Sequence, residues 1–276
     1  MKRVWKSKIL WFTVYTVFIT CVFLYLLFPS ELVRPKLEAA VSSRAFALKT
    51  MSLQPSLPFG VKLGRPSVYA PPSSPEAVFQ GKWFDAQFLP WSIFQKSRQI
   101  RFKGEAYTGR FSGRAGLLTR GDACSLAEGR ITFQGIDLAS YGGAALPVLR
   151  GVSGSLKGNI SYDSGRIKGG GPSGKMYVYL TRGAYLLPEP FLGMTHLEFD
   201  RGEVRAEMQN GSVMVDKLEA YGQQMNCFLS GDIQLAEPVQ MSRLNLKGTL
   251  EVAGNSKVKM NITIGGTLSR PTLRYI

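Results

Sequence analysis

The sequence predicts a mostly β protein, a meander of antiparallel strands preceded by one N-terminal transmembrane helix. Three features carry this expectation. From about residue 98 apolar side chains recur at every second position, the period at which a strand sends alternate side chains to opposite faces of a sheet. The runs are separated by Arg-Gly, Asn-Gly, Ser-Gly and Glu-Pro pairs, which form turns. Finally, residues 9–28 form an uncharged, mostly apolar run of membrane length, and no comparable run follows.

In chain order, residues 1–8 hold Lys2, Arg3, Lys6 and Lys8 without an acid, so the positive-inside tendency keeps this end cytoplasmic. Residues 9–28, ILWFTVYTVFITCVFLYLLF, are enough for a helix to cross a hydrocarbon layer of roughly 30 Å. Trp5, Trp11 and Tyr25 suit the interfaces. A cleaved signal peptide is the competing reading. The run is longer than the core of a signal peptide, about 7–15 residues, and FPSEL offers no small-x-small site, so the span is read as an uncleaved single-pass anchor. Residues 29–50 have helical composition and form a short connector, with Ser30 as N-cap, Glu31 in the first turn and Pro35 shortening or kinking the helix. Residues 51–276 form the β-rich domain beyond the membrane. It opens on a Pro- and Gly-rich stretch, 55–76, holding a strand-like GVKLG and an exposed loop, APPSSPE.

QIRFKGEAYTGRFSGRAGL sets Ile100, Phe102, Ala106 and Thr108 against Arg101, Lys103, Glu105 and Tyr107, and GVSGSLKGNISYDSG places Leu156, Gly158, Ile160 and Tyr162 on one side. Tyr177 and Tyr179, opposite Met176, Val178 and Leu180, suggest one strand covered on both faces. The alternation is cleanest near the C-terminus. In RLNLKGTLEV, Leu244, Leu246, Leu250 and Val252 share a face interrupted only by Gly248; in SKVKMNITIGG, Val258, Met260, Ile262 and Ile264 oppose Lys257, Lys259, Asn261 and Thr263. These eight apolar residues are the candidate groove. A sheet of such strands covers its apolar side with a second layer, by closing into a barrel, or by curling around a guest, and alternation does not choose among them.

With 276 residues, 45% hydrophobic, the chain can bury a core, and its net charge of +15 favours anionic partners such as membrane headgroups, nucleic acid or acidic proteins. Lys96, Arg98, Arg101, Lys103, Arg110, Arg114 and Arg120 cluster against Glu105 alone; interleaved Phe102, Tyr107 and Phe111 could stack bases, but a basic face near anionic lipid explains the same residues, and no nucleic acid is expected. Cys21 lies in the span, and Cys124 and Cys227 either pair or stay as buried thiols. His196 stands alone and reads as a half-buried strand residue, with no second histidine for a triad or metal cluster. GGGPSG, 169–174, lacks the Gly-Lys-Ser/Thr of a phosphate loop and reads as a turn. The sequons at Asn159 and Asn261 matter only in a eukaryotic secretory pathway, and Asp122, Glu128 and Asp137 are scattered carboxylates with no paired spacing. No catalytic residue, metal ligand or cofactor is assigned, and an enzyme is not expected.

LFPSELVRPKLEAA, SLPFGVKLGRPSVYAP, GVSGSLKGNISY, GSVMVDKLEAYGQQMNCFLSGDIQLAEPVQMSRLNLKGTLEV and IGGTLSRPTLRY, in this order after a basic N-terminus and one span, resemble the type II secretion system protein N (GspN) family in its form with an AsmA-like domain. The terminal Gly-Thr-Leu-x-x-Pro is Gly266, Thr267, Leu268 and Pro271. The resemblance implies an accessory component of the bacterial inner membrane, with a periplasmic domain, other secretion-system subunits as partners and no catalytic motif. It also implies an elongated, curved sheet with an apolar concave side, which would accept lipid tails or a partner strand. A lipid-binding or lipid-transfer module of the envelope is the alternative.

Overall fold

The computed structural model describes residues 8–43, 46–70, 76–120, 123–141, 151–166, 169–191, 194–223, 225–252 and 258–275. Lys2, Arg3, Trp5 and Lys6 of the basic N-terminus, most of the APPSSPE loop, Asp122 and Lys257 lie outside the described residues.

Helix α1 (Lys8–Leu26) has 19 residues and one charge, Lys8, at its start. At 1.5 Å per residue it is about 28 Å long. Trp11, Phe12, Tyr15, Phe18 and Phe23 are each more than half exposed, so the rest of the protein does not cover them. Among the described residues no helix is long and apolar enough to cross a membrane; the side chains of Ile9, Val17, Cys21, Leu24 and Leu26, within α1, are not among those described. Helix α2 (Ser30–Val41) follows. Ser30 is its first residue rather than its N-cap: Pro29 occupies that position and no side chain caps the helix. Pro35 sits inside α2, which continues to Val41; the missing N–H costs a single intrahelical bond near the N-terminus.

Sixteen strands follow among the described residues. The first four are short: β1 (Ala47–Lys49), β2 (Ser52–Ser56), β3 (Gly60–Gly64) and β4 (Ser67–Tyr69). Next come β5 (Ala77–Phe88), β6 (Arg98–Ala106), β7 (Gly109–Arg120), β8 (Ala123–Asp137), β9 (Val152–Asp163) and β10 (Ser173–Phe191). The last six are β11 (Met194–Gln209), β12 (Ser212–Tyr221), β13 (Met225–Gln234), β14 (Arg243–Val252), β15 (Val258–Thr267) and β16 (Arg270–Tyr275). All belong to one antiparallel sheet in which β5 to β16 lie side by side in chain order. The free edge of β5 is shared, β4 pairing with its first half and β3 with its second; β1 extends β4, and β2 extends β3. The sheet is open.

Several strands run on through the pairs read as turns, because not every Gly pair is a turn. Asn210-Gly211 is one: both residues have positive φ, and Gln209 pairs with Ser212 across a two-residue hairpin. Arg182-Gly183 instead forms a bulge inside the 19-residue β10, where one extra residue shifts its register against β9. Arg201-Gly202 and Ser230-Gly231 also lie within strands. Conversely, Tyr107 and Thr108, read as strand, turn the chain between β6 and β7 with φ of 49° and 62°. Tyr107 is held there because its hydroxyl accepts from the Gln80 amide at 2.9 Å and its carbonyl from the Asp137 amide at 2.9 Å.

The connector is part of the domain. Val33 and Leu37 of α2 pack with Phe28 on Leu48, Leu53 and Leu63, and the Glu38 carboxylate accepts from the Thr50 amide at 2.9 Å. The β structure begins at Ala47 rather than 51, and α2 lies against its first strands, while short 3₁₀ turns at Pro90–Phe94 and Leu138–Ser140 lie against β6 and β9.

Candidate functional site

In an antiparallel pair, residues directly opposite each other share a face. The register can therefore be followed across the whole sheet. Leu246 faces Ile264, Leu250 faces Met260, and Val252 faces Val258, while Gly248 faces Ile262. On the other side, Leu244, Leu250 and Val252 face Ile233, Cys227 and Met225. All eight predicted groove residues lie on one face; the Val258 side chain itself is outside the described residues. Leu246 is 5% exposed, Leu250 6% and Ile262 4%, with Leu244, Val252, Met260 and Ile264 half-buried around them.

The same face continues through the rest of the sheet. Ile233, Leu229 and Cys227 lead to Val213, Leu218 and Ala220 of β12, and these to Met208, Val204 and Gly202 of β11. Val204 and Ala206 face Val178 and Met176, which face Gly158 and Ile160. Ile160 faces Ile131 and Gly158 faces Phe133; Phe133 faces Phe111, Phe111 faces Gly104, and Gly104 faces Phe84. Phe84 meets Leu63, and Leu63 meets Leu53. From β2 to β16 one apolar surface thus crosses the molecule; α2 packs on it at its first strands, and no second sheet lies over it among the described residues.

Leu246, Leu250 and Ile262 are buried by side chains of their own face, among them Met176, Val213, Leu218, Ile233 and Met260. Close backbone approach has the same sense. A Cβ on Gly158 or Gly248, pointing to the apolar side, would strike the carbonyl oxygen of Tyr177 or Phe228 in the adjacent strand. Glycine at such points lets a sheet bend toward that side.

The opposite face is polar and laced with cross-strand ion pairs: Lys103 with Asp85 at 3.7 Å, Lys175 with Glu207 at 2.6 Å, and Lys259 with Glu251 at 3.3 Å. Where two acids meet, Glu203 opposite Glu219, Lys217 bridges both at 2.9 and 3.0 Å. Those hydrogen bonds hold the Lys217 ammonium above its usual range, while the carboxyl of Glu219 is held low, first by the Tyr221 hydroxyl and then by Lys217. Tyr177 and Tyr179 belong to this polar face, so the strand that carries them is not covered on both sides. Each lies under a cation instead, Arg205 at 5.4 Å and Lys157 at 5.7 Å from the ring centroids.

The residues weighed for chemistry are dispersed. Glu128 and Asp137 stand nine positions apart on β8, about 30 Å along a strand, and Asp137 caps the turn after it by accepting from the Ala139 amide at 3.1 Å. His196 is exposed rather than half-buried, with Nε2 3.4 Å from Glu198. Residues 169–172 form the expected turn, and Ser173 and Gly174 already belong to β10. No group of three or more metal-ligating side chains occurs among the described residues. Cys227 is a free thiol on the apolar face, where burial pushes its pKa up to about 11. Cys124, on β8, is five strands from it, about 24 Å across a sheet and far beyond the ~7 Å Cα separation a disulfide allows.

The basic cluster of β6 and β7 divides between the faces. Phe102 and Phe111 point to the apolar side, stacking on Phe84 at 5.9 and 6.1 Å, while Arg101 and Arg114 point to the polar side. Rings and guanidinium groups are separated by the sheet, so they do not form one base-stacking platform. No family model matches the chain, and neither a curated protein nor a solved structure does.

Proposed function

We propose that this chain is a membrane-anchored envelope protein whose apolar sheet face shelters the acyl chains of lipid. One observation carries the reading: an apolar surface continuous from Leu53 to Leu273, over which no second sheet lies among the described residues. A surface of that extent in water is costly and marks a binding or membrane-interaction surface. The buried leucines and the bend-permitting glycines support an inward curl, which makes the face a trough. Helix α1, about 28 Å of nearly uncharged helix, is the proposed span of a bacterial inner membrane, with Lys8 and the basic residues before it on the cytoplasmic side and the sheet in the periplasm. Mass spectrometry of the full chain purified in mild detergent tests this. Phospholipid should accompany the wild type and be lost from Leu246→Asp and Ile262→Asp; a wild type free of lipid would sink the reading.

A second reading, an accessory subunit of the type II secretion apparatus, is favoured by the ordered segments resembling that family and by β16, whose outer edge has no partner strand among the described residues. An edge of this kind accepts a strand from another subunit. Deleting the gene and assaying export of a folded substrate separates the readings, because unchanged export removes this one alone.

A further inference from the structure

On the polar face Arg101 of β6 lies directly opposite Arg114 of β7, and Arg114 lies directly opposite Arg130 of β8. Three guanidinium groups therefore stand on adjacent rungs, with backbones about 5 Å apart. Like charges at directly opposed positions destabilise a sheet. Elsewhere on this face several lysines are met by an acid: Lys82 by Glu105, Lys103 by Asp85, Lys175 by Glu207, Lys259 by Glu251, and Lys217 by two glutamates. The three arginines have no such partner; beyond the backbone ladder, none of their side chains forms a hydrogen bond or an ion pair with another described residue. The acid that could serve Arg130, Glu128, two positions along the same strand, accepts instead from the Gln99 amide nitrogen at 2.7 Å. Asp85, one strand from Arg101, is engaged by Lys103 through one oxygen; its other oxygen is buried without a partner.

The arginines also line concave ground. Arg101, Arg114 and Arg130 border a depression of about 630 Å³ with Asp85, Lys103, Ser112 and Thr132, and Arg114 and Arg130 border a neighbouring one of about 920 Å³ that reaches Ser161 and Lys175 and also holds Glu128, Asp163 and Glu207. In the first depression four cations, the three arginines and Lys103, face the single carboxylate of Asp85, and the Ser112 and Thr132 hydroxyls can donate as well; this excess of cationic donors suits a phosphate oxyanion. We infer that Arg101, Arg114 and Arg130 form a binding site for a ligand carrying several phosphate charges, separate from the apolar face and on the other side of the sheet. The inference does not rest on the lipid reading.

Titration of the detergent-solubilised full chain with inorganic tripolyphosphate tests it by calorimetry. One equivalent should bind, and Arg114→Gln and Arg130→Gln should each weaken it about tenfold or more, whereas Lys247→Gln, elsewhere on the same face, should leave it unchanged. Thermal unfolding at low salt adds a readout that a structural role would not give: without ligand, Arg114→Gln should melt at or above the wild-type temperature because a repulsion has been removed, and it should lose the rise in Tm that tripolyphosphate gives the wild type. In parallel, vesicles of phosphatidylcholine with and without phosphatidylglycerol separate the sources of phosphate. Binding to tripolyphosphate assigns a free ligand, and arginine-dependent binding to the anionic vesicles alone assigns a headgroup. Equal loss in the Lys247→Gln control, a lower melting temperature for ligand-free Arg114→Gln, or an oligo-aspartate peptide bound as tightly as tripolyphosphate through the same arginines would each overturn the assignment.

Discussion

Leu250→Ala tests whether the apolar face is a packed surface. Leu250 lies between Cys227 and Met260 and is 6% exposed, while Leu273, on the same face at the edge strand, is 47% exposed. The substitution removes three carbons beyond Cβ, and at about 0.8 kcal/mol per buried group the transfer loss is about 2.4 kcal/mol. The space left adds to this, placing the total near 3 kcal/mol, toward the low end of the range for buried leucines because an open face can partly collapse. The same truncation at Leu273, roughly half as buried, should cost about 1 kcal/mol. Urea unfolding of the full chain in detergent, with unchanged m-values, should thus separate the two variants by about 2 kcal/mol. Equal costs, both under about 1 kcal/mol, would refute the reasoning, because Leu250 would then be no better packed than an edge residue.

Further outcomes follow from the same geometry. Gly248→Ala should cost more than about 2 kcal/mol, since its Cβ would strike the Phe228 carbonyl, and amide exchange across β13 and β14 should rise. Glu105 is held below its ordinary pKa, first by the Trp83 indole N–H at 3.0 Å and then by Lys82. A depressed carboxyl stabilises the fold above its unfolded pKa and loses that contribution as pH falls through the folded value, so the Trp83 indole NMR resonance should titrate below about pH 4.5 and stop doing so in Glu105→Gln. Lys175, raised by its hydrogen bond to Glu207, works in the opposite sense: its contribution is complete below the ordinary lysine pKa and disappears as pH rises through the elevated one, so Glu207→Gln should flatten the alkaline limb of the stability profile. Cys227, with its thiol pushed up to about 11, should react with maleimide at pH 8 far more slowly in the folded protein than in denaturant, and non-reducing electrophoresis should show no internal Cys124 bridge.

The period of two made much of this fold legible. It places Leu244 to Val252 and Met260 to Ile264 on one face, and Asn210-Gly211 names its hairpin outright. What it could not supply was anything requiring a neighbouring strand. Whether Arg182-Gly183 turns or bulges depends on β9 holding the following residues in the sheet. Tyr107-Thr108 turns without glycine because Gln80 and Asp137 fix the tyrosine from outside. The tyrosines of β10 look like a second apolar face until register brings Arg205 and Lys157 over them. The arginines of β6, β7 and β8 look like a diffuse basic region along the chain and become a row only when the strands are laid side by side. Ser30 misleads as a cap, and Pro35 does not end the helix, for a local reason: α2 is held by contacts of Val33, Leu37 and Glu38 with the first strands, so neither a cap nor an uninterrupted ladder decides where it runs.

From β5 onward each strand leans on the one made just before it, and this neighbour-to-neighbour order affects how the protein is built as well as what it looks like. Growth can proceed rung by rung from the N-terminal end as the chain emerges, with few distant segments to bring together. It also makes span an adjustable quantity. Adding or deleting one hairpin would lengthen or shorten the sheet by about 10 Å while leaving every other rung with its old neighbours, so the reach of such a sheet is set by how many hairpins the chain encodes.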